Sequence, residues 1–306
     1  MAEFKFFCSR CGQSIQADVD YGSRQINCPA CGQSTIVPPT ANSPATTPAG
    51  KAPSWARRKT LLIAAAVVVL LLLFAGAGHF LYFELRGKPG GLVAWWRADG
   101  NARDSAGHND GLLQGGMHFA PGEFGQAFLF DSPDDAVKIA ANPSLNVGTD
   151  SGFTIECWVE PSSLSHLNPL VEWNTGRGSW GVHFYIGVGA PDNLYANIVD
   201  SGHHWHTIQT QGGIVRTNGF QHIALTYNKA NGVAKIYYNG AAVLEQPVGK
   251  FKPQTTYDVY LGRRPPTGGE SYTFAGLMDE VSIYHRALSS SEIAAIYSAG
   301  KSKTGD

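Results

Sequence analysis

An apolar run of 24 residues, Thr60 to Phe83, most constrains how this chain can fold. It contains no Asp, Glu, Lys or Arg, and His79 is its one side chain that titrates near neutral pH. As a helix rising about 1.5 Å per residue, the run would extend roughly 36 Å, enough to cross a hydrocarbon core about 30 Å thick. Because apolar residues surround that helix on all sides, it does not resemble an amphipathic surface helix. The sequence predicts a single transmembrane helix over residues 60–84.

The charges and thiols beside this run predict its orientation. Lys51 and the basic triplet 57–59 precede it, whereas Arg86, Lys88 and Arg97 follow it. A slight excess of positive charge before the span favours the cytoplasmic side for the N-terminus. Four of the five cysteines also precede it, and clustered thiols suit a reducing compartment. We expect a cytoplasmic N-terminus, an uncleaved anchor and an extracytoplasmic C-terminal domain.

Two CxxC pairs dominate the first part of the chain. Sixteen residues separate them, and each pair is followed by a glycine that permits a tight turn, the ligands being Cys8, Cys11, Cys28 and Cys31. This spacing is typical of a tetrahedral zinc site, and four thiolates leave no open position for catalysis. We therefore predict a structural zinc ribbon over residues 1–37, with short strands at 14–17 and 24–27. A redox CxxC is the alternative, but such motifs occur in a βαβ context that this segment lacks.

The segment 38–59 is rich in Pro, Ala and Thr and predicts an extended linker between the ribbon and the span.

The whole chain has 23 Lys and Arg against 24 Asp and Glu, a net charge of −1. Nucleic acid binding is not favoured, because neither the chain nor the ribbon carries a basic patch. We expect a structural role for the ribbon or contact with a cytoplasmic protein.

Beyond the span, the hydrophobic pattern has a period of two. Short β-branched and aromatic segments alternate with turn residues, and the chain contains 36 Gly and 17 Pro. The segment 220–243 is the clearest hairpin, with Asn231-Gly232 supplying the positive φ angles of a tight turn. This pattern predicts a mainly β sandwich or barrel.

Seven segments of this region occur in a recognisable order: GLVAWW (91–96), DSAG (104–107), GQAF (125–128), FTIECWV (153–159), FQHIALTY (220–227), IYYNG (236–240) and FAGLMDEV (274–281). Together they resemble the laminin-G-like, concanavalin A-type jelly-roll domain, here over residues 90–300. The resemblance implies an antiparallel two-sheet sandwich with a binding or adhesive role, but it identifies no ligand. It also implies a calcium ion near Asp104 and Asp279, the alternative being that both carboxylates only organise turns.

Hydrolases of this architecture need two carboxylates on one face of a strand. Asp279 and Glu280 are adjacent and so are expected on opposite faces, and other acids lack a partner at the right spacing. We therefore expect no enzymatic activity. A membrane-anchored carbohydrate-active enzyme is the alternative.

Aromatic side chains are the candidates for ligand contact. Trp173, Trp180 and Trp205 are predicted to form a platform for sugar rings together with Tyr185 and Tyr195, although aromatic residues of a sandwich more often lie in its core. His204 and His206 share one face of a predicted strand, but two imidazoles without a nearby acid make an incomplete metal site.

Two local patterns give sharper predictions. Alternation along 153–159 places Cys157 on a wholly apolar face, which should lie in the sandwich core. Ser289 and Glu292 form a capping box that begins a short helix, and Gly300 is expected to end it.

The preferred function is a single-pass membrane-anchored binding protein whose extracytoplasmic domain recognises carbohydrate or protein ligands. A transmembrane sensor that signals through the ribbon is a further alternative. Such a sensor would need dimerisation, because one helix and a flexible linker transmit conformational change poorly.

Overall fold

The computed structural model describes residues 3–18, 22–38, 88–267 and 270–304. The chain forms two compact units, one within residues 1–75 and one within 76–306. The predicted span and all but the first residue of the predicted linker lie outside the described residues. Among the residues that are described, no helix combines the length and apolar character needed to cross a membrane.

The described part of the small unit consists of two β-hairpins. β1 (Glu3–Phe7) pairs with β2 (Ser14–Asp18), and β3 (Gln25–Asn27) pairs with β4 (Ser34–Ile36), both antiparallel. The two strands predicted between the CxxC pairs are confirmed as β2 and β3. A small core joins both hairpins and comprises Phe6, Cys8, Ile15, Cys28 and Val37. So small a core stabilises little by itself, and a metal ion would supply the missing stability.

The large unit, within its described residues, is a sandwich of two antiparallel sheets. Sheet I has the order β17-β16-β15-β10-β21-β8-β7, with β5 also paired to β21. Its strands are β5 (Leu92–Trp96), β7 (His118–Pro121), β8 (Gln126–Phe130), β10 (Gly152–Pro161), β15 (Gln221–Asn228), β16 (Val233–Tyr238), β17 (Ala241–Pro247) and β21 (Gly276–Tyr284).

Sheet II has the order β14-β13-β12-β11-β18-β9-β6. Its strands are β6 (Gly111–Gln114), β9 (Ala136–Ile139), β11 (Asn168–Asn174), β12 (Trp180–Ile186), β13 (Leu194–Asn197), β14 (Thr207–Gln209) and β18 (Asp258–Leu261). A separate hairpin joins β19 (Arg263–Thr267) to β20 (Glu270–Thr273). Two 3₁₀ turns, Pro143–Leu145 and Val147–Thr149, precede β10.

The core between the sheets is built from the alternation that the sequence shows. Along β10, Phe153, Ile155, Cys157 and Val159 all lie in this core, whereas the residues between them face outward. The predicted position of Cys157 is confirmed, and its side chain is fully buried. The predicted hairpin is also confirmed, because β15 pairs with β16 across this turn. Of the two residues expected to have a positive φ, Gly232 has one, at 75°, and Asn231 does not.

The helix α1 (Ser290–Thr304) covers part of the outer face of sheet I. Its residues Ile293 and Ile296 pack on Ala224, Tyr237 and Tyr284 of the sheet. The predicted capping box is confirmed: the Ser289 amide donates to Glu292, 2.8 Å away, and the Glu292 amide donates to Ser289 Oγ, 3.3 Å away.

The prediction that Gly300 ends the helix is wrong, because α1 continues to Thr304. Gly300 lies where the helix meets sheet I. A Cβ atom at this position would be 2.5 Å from the Trp158 ring and 3.1 Å from the Phe124 ring. The glycine therefore allows a close approach between helix and sheet and is not a stop signal.

Candidate functional site

The four cysteines of the small unit converge on one point. Cys8 and Cys28 follow β1 and β3, and each begins a turn closed by the amide of Gly12 or Gly32, 2.9 Å from its carbonyl oxygen. The sulfurs of Cys8 and Cys31 are 3.8 Å apart, those of Cys11 and Cys28 are 3.7 Å apart, and all four lie within 4.8 Å of one another.

This geometry fits a tetrahedral metal ion. Ligands about 2.3 Å from a zinc ion are separated by roughly 3.8 Å in a tetrahedron, as observed between these sulfurs. Amides of Cys11 and Arg10 hydrogen-bond to the Cys8 sulfur and lower its pKa to about 6, which favours the metal-binding thiolate. The cluster can hold a metal ion, and its ligand set is compatible with zinc.

In the large unit, the outer face of sheet II carries a row of polar and aromatic side chains. Strand register places Asn197 opposite His183, His183 opposite Glu172, Glu172 opposite Tyr260 and Tyr260 opposite Lys138. These residues point away from the core because their neighbours along each strand, such as Val182, Phe184 and Ala196, point into it. Tyr185 and Tyr195 form a second pair on the same face.

Glu172 is the centre of this face, although its side chain is fully buried. Its carboxylate accepts hydrogen bonds from the Tyr185 hydroxyl, from Asn174 Nδ2 at 2.7 Å and from Arg264 Nε at 3.0 Å. Burial lowers the pKa of His183 to about 4, so this ring is neutral at physiological pH. These contacts satisfy the buried charge and fix the surrounding side chains in place.

Trp180 and Trp205 lie together at one end of this face, with ring centroids 6.5 Å apart. The Arg264 guanidinium lies 5.1 Å from the Trp180 ring centroid and 5.0 Å from that of Tyr185. Trp205 is 63% exposed. We refer to Trp180, Tyr195, Trp205 and Arg264 as the aromatic surface, and Tyr185 is buried beneath it.

Trp173 is not part of the aromatic surface, which corrects its predicted role. Its side chain is fully buried in the core between the sheets. From Val171 to Asn174 the strand alternates regularly, so Trp173 shares the core face with Val171 and lies opposite the core residue Val259 of β18.

The two aspartates predicted to bind calcium occupy different surroundings. Asp104 accepts four N–H groups: those of Trp95 and Ala106 on Oδ1, both at 2.9 Å, and the amide and side-chain nitrogen of Asn109 on Oδ2. This is the arrangement of a turn-organising carboxylate. Asp279 is buried against the Phe124 amide, 2.9 Å away, and burial raises its pKa to about 8. Within the described residues, neither belongs to a group of three or more metal-ligating side chains, and calcium stays a prediction.

The expectation that Asp279 and Glu280 point to opposite faces is wrong. A bulge interrupts β21, and Glu280 has a φ of 54°. Asp279 lies opposite Trp158, and the Glu280 carboxylate accepts from Trp95 Nε1 at 2.8 Å, so both acids lie on the outer face of sheet I. Both are buried, with side chains no more than 9% exposed, and therefore have no access for a polymeric substrate.

The match to known families can now be placed on this geometry. Residues 131–294, more than half of the chain, match the model of the concanavalin A-like lectin/glucanases superfamily, a laminin G family. The chain belongs to this superfamily. The matched segment begins after β8 and extends into α1, so the lectin-like domain contains the whole aromatic surface.

Solved structures with the same fold include binding domains. The binding domain of Paraclostridial mosquitocidal protein 1 has a TM-score of 0.54 and 16% identity, covering 68% of this chain and 52% of that one. The botulinum neurotoxin DC binding domain in complex with rat synaptotagmin II has a TM-score of 0.54 and 13% identity, covering 69% and 52%. This chain thus spans about half the length of the toxin domains.

Domain 4 of the GH43 extracellular arabinanase AbnA from Geobacillus stearothermophilus, in complex with arabinotriose, has a TM-score of 0.50 and 19% identity, covering 67% of this chain and 98% of that one. At these identities the likeness shows the lectin-like fold. No curated protein matches the sequence.

Sequence reasoning did not find Glu172, Tyr185 and Arg264 as one network. Glu172 and Arg264 are 92 residues apart in sequence. An isolated acid inside an apolar strand was the available signal, because a buried carboxylate requires a cationic or hydrogen-bonding partner.

Proposed function

We propose that this chain is a single-pass membrane protein that binds glycans through the aromatic surface of its lectin-like domain. The observation that carries the proposal is the grouping of Trp180, Trp205 and Arg264 on a sheet face already organised by Glu172. Aromatic rings can stack on the apolar faces of sugars, while neighbouring polar groups bind their hydroxyls. The small unit binds one structural zinc ion through its four cysteines.

A non-enzymatic role agrees with two findings. The toxin structures that share the fold are binding domains, and the arabinanase domain was solved with a bound oligosaccharide. The acids Asp279 and Glu280 are enclosed, and Glu172 is held in an ion pair with Arg264. A protein ligand is the competing partner class, and the toxin complex with synaptotagmin II is an example of one on this fold.

The test is a glycan array followed by calorimetry on the detergent-solubilised full chain. We expect Trp205→Ala and Trp180→Ala each to weaken the best glycan about tenfold or more, since stacked aromatic contacts dominate such sites. Val243→Ala is the matched control, because Val243 is partly exposed on β17 of the other sheet. Absence of glycan binding, or equal binding by the Trp205 variant, would overturn the proposal.

The proposed orientation has its own test. We place the N-terminus in the cytoplasm and the lectin-like domain outside, because basic residues and thiols precede the apolar run 60–83. Protease added to intact cells should then degrade the chain beyond Gly87 and spare the ribbon. The reverse pattern would show the opposite orientation.

A further inference from the structure

The loop between β13 and β14 brings one carboxylate between two imidazoles. Asp200 Oδ2 is 3.1 Å from Nδ1 of His204 and 3.2 Å from Nε2 of His206. Asp200, at the start of this loop, therefore supplies the carboxylate that the segment HHWH (203–206) does not contain. Its other oxygen, Oδ1, accepts the amides of Gly202 at 2.7 Å and His204 at 2.9 Å, which fixes the carboxylate.

The contacts of His206 show which of its nitrogens carries hydrogen. Nδ1 is 3.1 Å from the carbonyl oxygen of Val248. A carbonyl can only accept, so Nδ1 must donate, and in the neutral ring Nε2 then presents a lone pair. This lone pair faces a carboxylate oxygen. An imidazolium would donate its Nε2 proton to this oxygen, whereas in the neutral ring the two acceptors, 3.2 Å apart, require a metal ion between them.

The surroundings match those of a metal ligand. A metal-bound histidine usually donates its second N–H to a carbonyl or carboxylate, as His206 does to Val248. The His206 ring also stacks on Phe251 with centroids 3.6 Å apart, which fixes its plane. With bonds of about 2.0–2.2 Å to nitrogen and oxygen, two ligands of one metal ion are separated by roughly 3.2 Å.

We infer that Asp200, His204 and His206 bind a divalent transition metal of the zinc class. His206 and Asp200 form the fixed part of the site. The ligand atoms of the three side chains do not all lie within 4.8 Å of one another in the structure, as those of the four cysteines do. His204, whose side chain is 77% exposed, would therefore rotate about its side-chain bonds to bring Nδ1 onto the same ion. Imidazole and carboxylate are both ligands of zinc in proteins. The site lies in the loop that presents Trp205, and it is independent of the proposed glycan binding.

The experiment is a calorimetric zinc titration of the full chain at pH 7.5, with the ribbon already loaded and excess metal removed. We expect one further equivalent of zinc to bind. Asp200→Asn and His204→Ala should each weaken this binding at least tenfold. The asparagine keeps an oxygen for the two loop amides, and His204 is exposed, so neither change removes a buried contact of the fold.

His203→Asn is the matched control. His203 is exposed in the same loop with a φ of 65°, which asparagine tolerates. Its amide donates to the Asp200 carbonyl oxygen, 2.9 Å away, and an asparagine keeps this backbone contact.

The two imidazoles beside the carboxylate are those of His204 and His206, so the asparagine at position 203 should leave the extra equivalent of zinc and its affinity unchanged.

A proton on Nε2 is the competing cation, and long-range ¹⁵N–¹H NMR distinguishes the two. Zinc binding should shift the Nε2 resonance of His206 without an attached proton. The inference is overturned if no second equivalent binds, if His203→Asn loses it as well, or if Nε2 stays protonated in the presence of zinc. None of these measurements contains a glycan, so failure of the glycan proposal would leave them unaffected.

Discussion

At the scale of single residues, Glu156 shows how a charge is kept inside the large unit. Its side chain is fully buried on the outer face of sheet I, beneath other side chains. Burial alone would raise its pKa, but Lys88 at 3.0 Å and His222 at 3.2 Å more than offset this effect and lower the pKa to about 2. Glu280, 4.0 Å from Lys88, is the other carboxylate facing this lysine among the described residues.

This lowered pKa predicts a pH-dependent stability. The unfolded carboxyl titrates near 4.5, so the contribution is fully present above that pH and is lost as pH falls towards 2. Glu156→Gln should lower the free energy of unfolding by roughly 3 kcal/mol at pH 6 and by little at pH 2. Urea unfolding followed by tryptophan fluorescence measures the difference.

Glu245→Gln is the control for that measurement, since Glu245 pairs with Lys235 but its side chain is 57% exposed. This substitution should change stability little at either pH. A constant difference between wild type and Glu156→Gln from pH 6 to pH 2 would contradict the assignment.

Cys157 gives a second prediction at this scale. Its thiol lies in the core, and burial raises its pKa, so the reactive thiolate does not form in the folded domain. Wild type and Cys157→Ala should therefore show the same number of thiols labelled under native conditions. In denaturant the wild type should label one thiol more. If the wild type labelled one thiol more than Cys157→Ala under native conditions, this face of β10 would be accessible.

At the scale of elements, the contact between α1 and sheet I predicts how a substitution of Gly300 changes stability. The expected change is opposite to the one that helix propensity alone would give. Alanine is favoured over glycine within a helix by about 1 kcal/mol. Gly300→Ala should nevertheless destabilise the large unit, by about 1–3 kcal/mol, because the new methyl group overlaps the Trp158 ring. Thermal unfolding measures the change.

Ser298→Ala is the control, because residue 298 is exposed on the same helix. It measures the effect of alanine on helix stability without an overlap with the Trp158 ring. It should be neutral or slightly stabilising. If Gly300→Ala also raised the melting temperature, the close approach of helix and sheet would be disproved.

The elements were predictable where one local rule decided them. Alternation identified the core face of β10, and Asn231-Gly232 identified the β15–β16 turn. The rule failed at the bulge in β21, which places Glu280 on the same face as Asp279. Trp173, in contrast, follows the alternation and lies in the core with Val171. An inserted residue changes the face of every residue after it, and its position depends on packing between strands that are distant in sequence.

At the scale of the whole molecule, two separate compact units predict two separate unfolding transitions. The core of the small unit has few residues, so its fold should depend on the metal, whereas the core of the large unit should not. A chelator should unfold the ribbon and leave the lectin-like domain folded. Residues 3–38 contain no tryptophan, so tryptophan fluorescence should stay unchanged while metal is released.

Cys28→Ser offers the matched genetic test, because it removes one of four ligands. It should abolish stoichiometric zinc in the ribbon without lowering the melting temperature of the lectin-like domain. If Cys28→Ser also lowered the melting temperature of the lectin-like domain, the two units would not fold independently.

The candidate sites differ in how far the sequence could reveal them. The cysteine site is local, and its spacing alone predicted the cluster. The aromatic surface needs β11, β12 and the segment around Arg264 to meet, and only the folded sheet brings Glu172 to Arg264. Only the folded chain likewise brings Asp200 within 3.2 Å of His206, because their approach depends on a turn and on the contact of His206 with the Val248 carbonyl.

The position of Lys88 has a mechanical consequence. Lys88 holds the chain to Glu156 and Ser282 on the outer face of sheet I, while the aromatic surface lies on the outer face of sheet II. A load applied between a bound ligand and the chain that precedes Lys88 would therefore pass through the full thickness of the sandwich. Under tension, the polar contacts of Lys88 would break before the interdigitated core between the sheets.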